Sequence, residues 1–181
     1  NQMLMEFMGL HLPGSSFVPP GSSLREALTV EAGRRVLTLT SEGGRYTPVG
    51  HVISERALVN ALVGLLATGG SANLTIHLVA IAKAAGVKIL WDDIDALSRV
   101  VPLIARVYPN GEADINHFHQ QGGTGRVMTM LREEGYLHSE VVTVMGEGLE
   151  HYSLVPALKS GALCFESPAC GGWTDEVIAE G

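Results

Sequence analysis

The 181 residues are 46% hydrophobic and 17% charged, enough chain for one core or two small ones, and two cysteines are too few for a disulfide framework. Twelve Lys and Arg against nineteen Asp and Glu give a formal charge of -7, which leaves no broad basic face for a nucleic-acid backbone. No apolar run approaches the roughly 20 residues that cross a bilayer and no basic segment precedes one, so no nucleic-acid or membrane partner is expected and the expected location is cytoplasmic.

The chain opens Asn-Gln-Met-Leu and closes Glu-Gly, as expected of a segment from within a larger protein. Residues 2–8 are straight-chain and apolar, which predicts the end of a helix stopped by Gly9. Turn formers fill 12–23. Within them Leu12-Pro-Gly-Ser-Ser16 offers two hydroxyls beside a helix end, read as a turn or as an oxyanion contact. Ser22 or Ser23 caps a helix expected over 24–40, on which Arg34 and Arg35 read as a solvated face. Gly43-Gly44 ends it, and 46–51 is expected to be extended or a loop.

Ser54 and Glu55 open an apolar helix to Ala67, stopped by Thr68-Gly69-Gly70, and Ser71 caps the next. Leu74, His77, Leu78, Ile81, Ala82 and Ala85 then recur at helical spacing, so His77 is expected on the buried face. Val87-Lys-Ile-Leu-Trp91 is short and β-branched, which predicts a strand, and Asp92 or Asp93 is expected to cap a helix over 93–106. As a helix cap and a first-turn acid the two carboxylates need no Mg²⁺ to explain them. A turn at 109–111, a strand over 113–118, a helix over 125–134 closed by Gly135, a strand over 141–144 and a helix over 149–158 follow. The tail from 161 to 181 has no strong period, and there is no internal repeat. Helices divided by short strands predict a helix-rich α/β fold with few short strands.

The most informative local feature is Ala67-Thr-Gly-Gly-Ser-Ala-Asn73, between two apolar helices. Glycine allows close backbone approach, and a helix N-terminus carries unpaired N–H groups and partial positive charge that favour an anionic oxygen. Gly69, Gly70, Ser71 and Asn73 are therefore the first candidate donors, set against the plainer reading of a C-cap followed by an N-cap. No Gly-Lys-[Ser/Thr] follows, so this is no Walker loop. On a strand, His117 and His119 would share one face as a metal pair, but no third ligand has convincing spacing.

Three stretches carry a resemblance: Gly9-Leu-His-Leu-Pro-Gly-Ser-Ser-Phe17, Leu65-Leu-Ala-Thr-Gly-Gly-Ser-Ala-Asn73 and Tyr108-Pro-Asn-Gly-Glu-Ala-Asp-Ile-Asn-His-Phe118. On these the chain resembles the dihydroxy-acid and sugar-acid dehydratase family, and the third stretch resembles its phosphogluconate branch. The likeness runs from Asn1 to about Leu158. It implies a hydro-lyase forming 2-keto-3-deoxy-6-phosphogluconate from 6-phosphogluconate in the Entner–Doudoroff route, with a 4Fe-4S cluster and Mg²⁺ as cofactors of the whole protein. It also implies that 1–160 is the central part of a layered α/β/α N-terminal domain and that 161–181 leads toward a C-terminal domain. The expected partner is a phosphorylated sugar acid, and the whole protein is expected to be a homodimer.

By the same resemblance Gly69, Gly70, Ser71 and Asn73 face the substrate or the cluster environment, and Ser15, Ser16 and Arg25 the phosphate end. The family's cluster cysteines and the segment expected to hold its catalytic base match nothing in this chain. Cys164 and Cys170 correspond to no cluster position, so no metal ligand or catalytic residue is assigned here and the isolated chain is expected to be inactive. Ala72 stands where the family usually has Thr. Two other readings remain open: a sister dehydratase acting on a dihydroxy acid or an unphosphorylated sugar acid, and a non-catalytic helical binding or oligomerisation module.

Overall fold

The computed structural model describes residues 1–108 and 110–168, so the expectations for Pro109, Cys170 and the rest of 169–181 lie outside the described residues. Its elements are helices α1 (Gln2–Phe7), α2 (Ser23–Thr38), α3 (Val49–Val52), α4 (Glu55–Ala67), α5 (Ala72–Ala84), α6 (Trp91–Ser98), α7 (Ile115–Gln120) and α8 (Gly123–Glu133). Two hairpins complete it: β1 (Val142–Thr143) with β2 (Gly146–Glu147), and β3 (Val155–Lys159) with β4 (Ala162–Glu166), with a 3-10 turn Glu150–Ser153 between them. The protein is thus helix-rich with few short strands, the expected fold class.

Helix α4 is the axis of the core. Ser54 Oγ accepts from the Ala57 N–H at 3.2 Å to start it, and nine of its residues are buried, against three for α5. Such burial is worth roughly 1.5–3 kcal/mol for each large aliphatic side chain, so α4 contributes far more than its neighbour. Helix α1 crosses it where Gly64 makes room for the Phe7 ring; a Cβ there would lie 2.6 Å from that ring. Buried Asn60 secures the far side, its amide donating to the His138 carbonyl at 2.9 Å and accepting from the His138 N–H at 2.8 Å. Phe118 from α7, Met128 and Leu131 from α8, and Tyr152 complete the same cluster.

Helix α2 is capped as expected, Ser22 Oγ accepting from the Arg25 N–H, yet buries only Leu28. It lies against the β3–β4 hairpin.

Several expected elements fold otherwise. Residues 87–90 form no strand and pair with none among the described residues; Asp93 Oδ2 accepts from the Leu90 N–H at 2.8 Å, and the next helix runs from Trp91 to Ser98. Asp93 thus caps from inside the first turn. The strand expected over 113–118 is a bridge residue, Ala113, followed by helix α7, because Asp114 Oδ1 accepts from the N–H groups of Asn116 (2.7 Å) and His117 (2.9 Å). Those same bonds, His117 first, hold the Asp114 carboxyl below its usual range. The helix expected over 149–158 stops at Ser153, and Pro156, which suits no helix interior, pairs opposite Phe165 in a hairpin. His77 is exposed rather than buried.

Candidate functional site

Two cavities lie on either side of the turn at residues 12–17. The first, about 210 Å³, is lined by Gly69, Gly70 and Ser71 together with Phe17, Tyr108 and Asn110. The second, about 260 Å³, is lined by His11, Ser15, Arg25 and Arg35 with apolar walls that include Leu12 and Leu28. Ser15 and Phe17, two residues apart, face different cavities, so the turn is the partition between them. Phe17 is fixed by an edge-on contact with Phe118, ring centroids 5.7 Å apart.

At the first cavity the backbone of the Gly-Gly corner is engaged in ending α4. The Gly69 N–H donates to Leu66 O at 3.3 Å and the Gly70 N–H to Leu65 O at 3.0 Å, and Gly69 takes the positive φ of +59° that such an ending requires. The Asn110 amide donates to the Gly69 carbonyl, and Ala67 O accepts from the N–H groups of Ile104 and Ala105, so these three residues strap the corner down. What stays available is side-chain chemistry: Ser71 at the α5 N-cap makes no cap hydrogen bond, and both Ser71 and Asn73 are exposed. Asn73 follows on the first turn of α5 and is not part of the cavity wall.

Around the second cavity the expected donors have partners within the chain. Ser15 Oγ donates to Leu12 O at 2.7 Å, and Ser16 Oγ donates to the Glu6 carboxylate. The Arg25 guanidinium donates to Val18 O from Nε (3.1 Å) and Nη2 (2.6 Å). Three guanidinium hydrogens remain on Arg25 by count of its five donors.

Glu6 is the residue that the sequence reading missed. It is fully buried at the end of α1, and its carboxylate accepts from the backbone N–H groups of Gly14 and Ser16 as well as the Ser16 hydroxyl. Burial pushes its pKa up to about 7, against the pull of the Ser16 and Gly14 hydrogen bonds. The only sequence signal was a lone acid in Met-Leu-Met-Glu-Phe-Met followed by Gly-Ser-Ser. Nearby, Tyr152 Oη donates to the His11 carbonyl at 2.8 Å, and burial raises that phenol's pKa. His11 is itself shifted down by burial, then by Arg25.

The histidine pair dissolves. On α7, His117 and His119 are two helical positions apart and point about 200° away from each other, unlike the shared face of a strand. His117 sits against Gln121, and His119 is half-buried with its pKa lowered by burial and then by Arg25. Among the described residues no three His, Cys, Asp or Glu side chains group to hold a metal ion. Iron–sulfur clusters take three or four thiolates. Here Cys164 stands alone among the described residues, its Sγ donating to Ala157 O at 3.4 Å across the β3–β4 hairpin, so this donor set does not fit a cluster.

Residues 1–152 match the family model described as dihydroxy-acid/6-phosphogluconate dehydratase N-terminal. The phosphogluconate dehydratase of Rhizobium meliloti (strain 1021) is 54% identical over 169 residues, 93% of this chain and 28% of that protein. That of Escherichia coli (strain K12) is 52% identical over 179 residues, 99% of this chain and 30% of that protein. The dihydroxy-acid dehydratase of Pyrobaculum neutrophilum is 43% identical over 145 residues, 80% of this chain and 25% of that protein. The chain therefore spans under a third of the length of these relatives.

Proposed function

We propose, because the chain belongs to the dihydroxy-acid/6-phosphogluconate dehydratase family, that the whole protein is a hydro-lyase converting 6-phosphogluconate to 2-dehydro-3-deoxy-6-phosphogluconate. The observation that supports the choice of acid is the 44–54% identity, over 90–99% of the chain, to proteins named phosphogluconate dehydratase, against 43% over 80% for a protein named dihydroxy-acid dehydratase.

The reaction removes the proton on C2 and the hydroxyl on C3 as one water, and the resulting enol becomes the 2-oxo acid. In the whole protein, a cytoplasmic homodimer by this reading, a 4Fe-4S cluster and Mg²⁺ belong to segments other than the described residues, whose donors do not fit them. Residues 1–160 serve as the central part of the N-terminal α/β region, and 161–181 lead toward a further domain. This chain supplies scaffold and two walls. Ser71 and Asn73 offer side-chain donors at the Gly69-Gly70 turn, and Ser15 and Arg25 line the wall toward the phosphate with Ser16 buried behind it. Ser16 acts there through Glu6, which fixes the turn.

Assay of the intact protein on 6-phosphogluconate, on gluconate and on a 2,3-dihydroxy acid tests the reading. Higher kcat/KM on the phosphorylated acid is expected; preference for either of the others rejects it. Ser71→Ala combined with Asn73→Ala is expected to raise KM or lower kcat, and unchanged kinetics return both residues to the helix end alone.

A further inference from the structure

The cavity beside α2 concentrates positive charge in a protein whose formal charge is -7. Arg25, Thr29, Ala32 and Arg35 present one stripe of the helix to it, His11 faces them from the turn, and no carboxylate lines it among the described residues. Arg35 lines it, and its buried Nε has no hydrogen-bond partner among the described residues. A buried, charged N–H without an acceptor is costly, so it marks a place where an acceptor belongs. Arg25 is held by its two bonds to Val18 O, which fix the plane of the guanidinium while three donors remain, an arrangement with little ordering left to do on binding. The Tyr152 hydroxyl on the His11 carbonyl anchors the backbone that carries His11.

We propose that this cleft binds a phosphate monoester, with Arg35 and Arg25 as its guanidinium ligands and His11 beside them. Two planar guanidinium groups suit a tetrahedral dianion with three terminal oxygens, and the apolar walls from Leu12, Leu28 and Val144 lower the local dielectric and strengthen the attraction. At about 260 Å³ the cleft is below the usual size for a whole ligand and fits one end of it. Burial, then Arg25, lowers the His11 pKa and so favours the neutral imidazole, a form that donates one N–H. The assignment of that phosphate to the far end of the sugar acid rests on the function proposed above; the anion site itself rests on Arg35, Arg25 and His11.

Titration of the intact protein with inorganic phosphate, followed calorimetrically, tests the site without using activity. Arg35→Gln is expected to weaken phosphate at least tenfold, and Arg35→Lys, which keeps the charge but loses the planar fork, by less. Ala32→Glu changes a separate, exposed position and brings a carboxylate to the wall, so it too should weaken phosphate at least tenfold. Binding within twofold of the parent in Arg35→Gln or Ala32→Glu, with thermal unfolding unchanged, overturns the site. Kinetics separate the sources: Arg35→Gln should raise KM for 6-phosphogluconate at least tenfold more than KM for gluconate, whereas equal rises overturn the substrate's phosphate as occupant. A protein inert toward 6-phosphogluconate that still binds phosphate through Arg35 rejects the proposed reaction and keeps the cleft. Turnover of 6-phosphogluconate with KM and phosphate binding indifferent to Arg35 rejects the cleft and keeps the reaction.

Discussion

The turns at residues 12–17 and 68–71 carry much the same chemistry in the sequence, namely glycine, serine hydroxyls and an adjoining helix end. In the fold they differ in what engages them. At 68–71 the two glycine N–H groups are turned back onto α4 and the Ser71 hydroxyl is left toward solvent. At 12–17 the turn wraps a buried carboxylate, and its N–H groups and the Ser16 hydroxyl point inward to Glu6. A donor-rich loop is therefore no guide to which donors are free. That depends on whether an acceptor from elsewhere in the chain has already reached them.

Four measurements would break or sharpen this contrast. Glu6→Ala removes the acceptor of three donors inside a buried turn and should cost about 3 kcal/mol in urea unfolding of the intact protein, since each orphaned buried donor costs about 1–3 kcal/mol. A loss under about 1 kcal/mol would mean that the turn at 12–17 stands without its carboxylate. The second uses pH. The folded pKa of Glu6, about 7, lies above its ordinary 4.5, so the folded state holds the proton more tightly than the unfolded chain between these values. The stability from Glu6 is complete below about pH 4.5 and is lost as pH rises through 7, roughly 3 kcal/mol in all. Glu6→Gln should flatten that part of the pH–stability curve, and an equal slope in the variant would assign it to another group.

The other turn should respond less. Gly70→Ala puts a Cβ 2.4 Å from Leu74 Cδ1 and 2.6 Å from Leu65 Cδ1, both ends of flexible side chains, so about 1 kcal/mol is expected in thermal unfolding. A cost equal to that of Glu6→Ala would erase the distinction between the turns. The smallest effect belongs to Ser71→Ala with Asn73→Ala, which should leave stability within about 0.5 kcal/mol, because both side chains are exposed and neither caps α5. A larger loss would show that Ser71 caps α5 in solution and is not free to act as a donor.

Much of the fold was legible because its signals are local. Ser22 and Ser54 cap their helices through N–H groups three residues away, and Gly135 ends α8 with its positive φ of +78°. Where two local signals competed, the reading failed. In Ala-Asp-Ile-Asn-His-Phe the alternation suggested a strand, but the Asp114 carboxylate met two backbone N–H groups within three residues, and the helix prevailed. Over 149–158 the expected helix contains Pro156, which suits no helix interior, and the chain there ends its 3-10 turn at Ser153 and enters a hairpin. The site was legible in its parts and not in its grouping: Gly69, Gly70 and Ser71 do share a cavity, while Ser15 and Arg25 belong to another together with His11 and Arg35.

By itself the sequence determined the helix-rich class, the capped helices and the family resemblance, all of which follow from residue types acting over a few positions. Only the tertiary structure decided which polar groups were left to act. Glu6 reaches Gly14 and Ser16 across a turn, and Tyr152 reaches the His11 carbonyl across 141 residues of chain. Burial and hydrogen-bond partners are properties of the packed whole, so Arg35 could read as a solvated charge in the sequence and yet carry a buried N–H with no partner among the described residues.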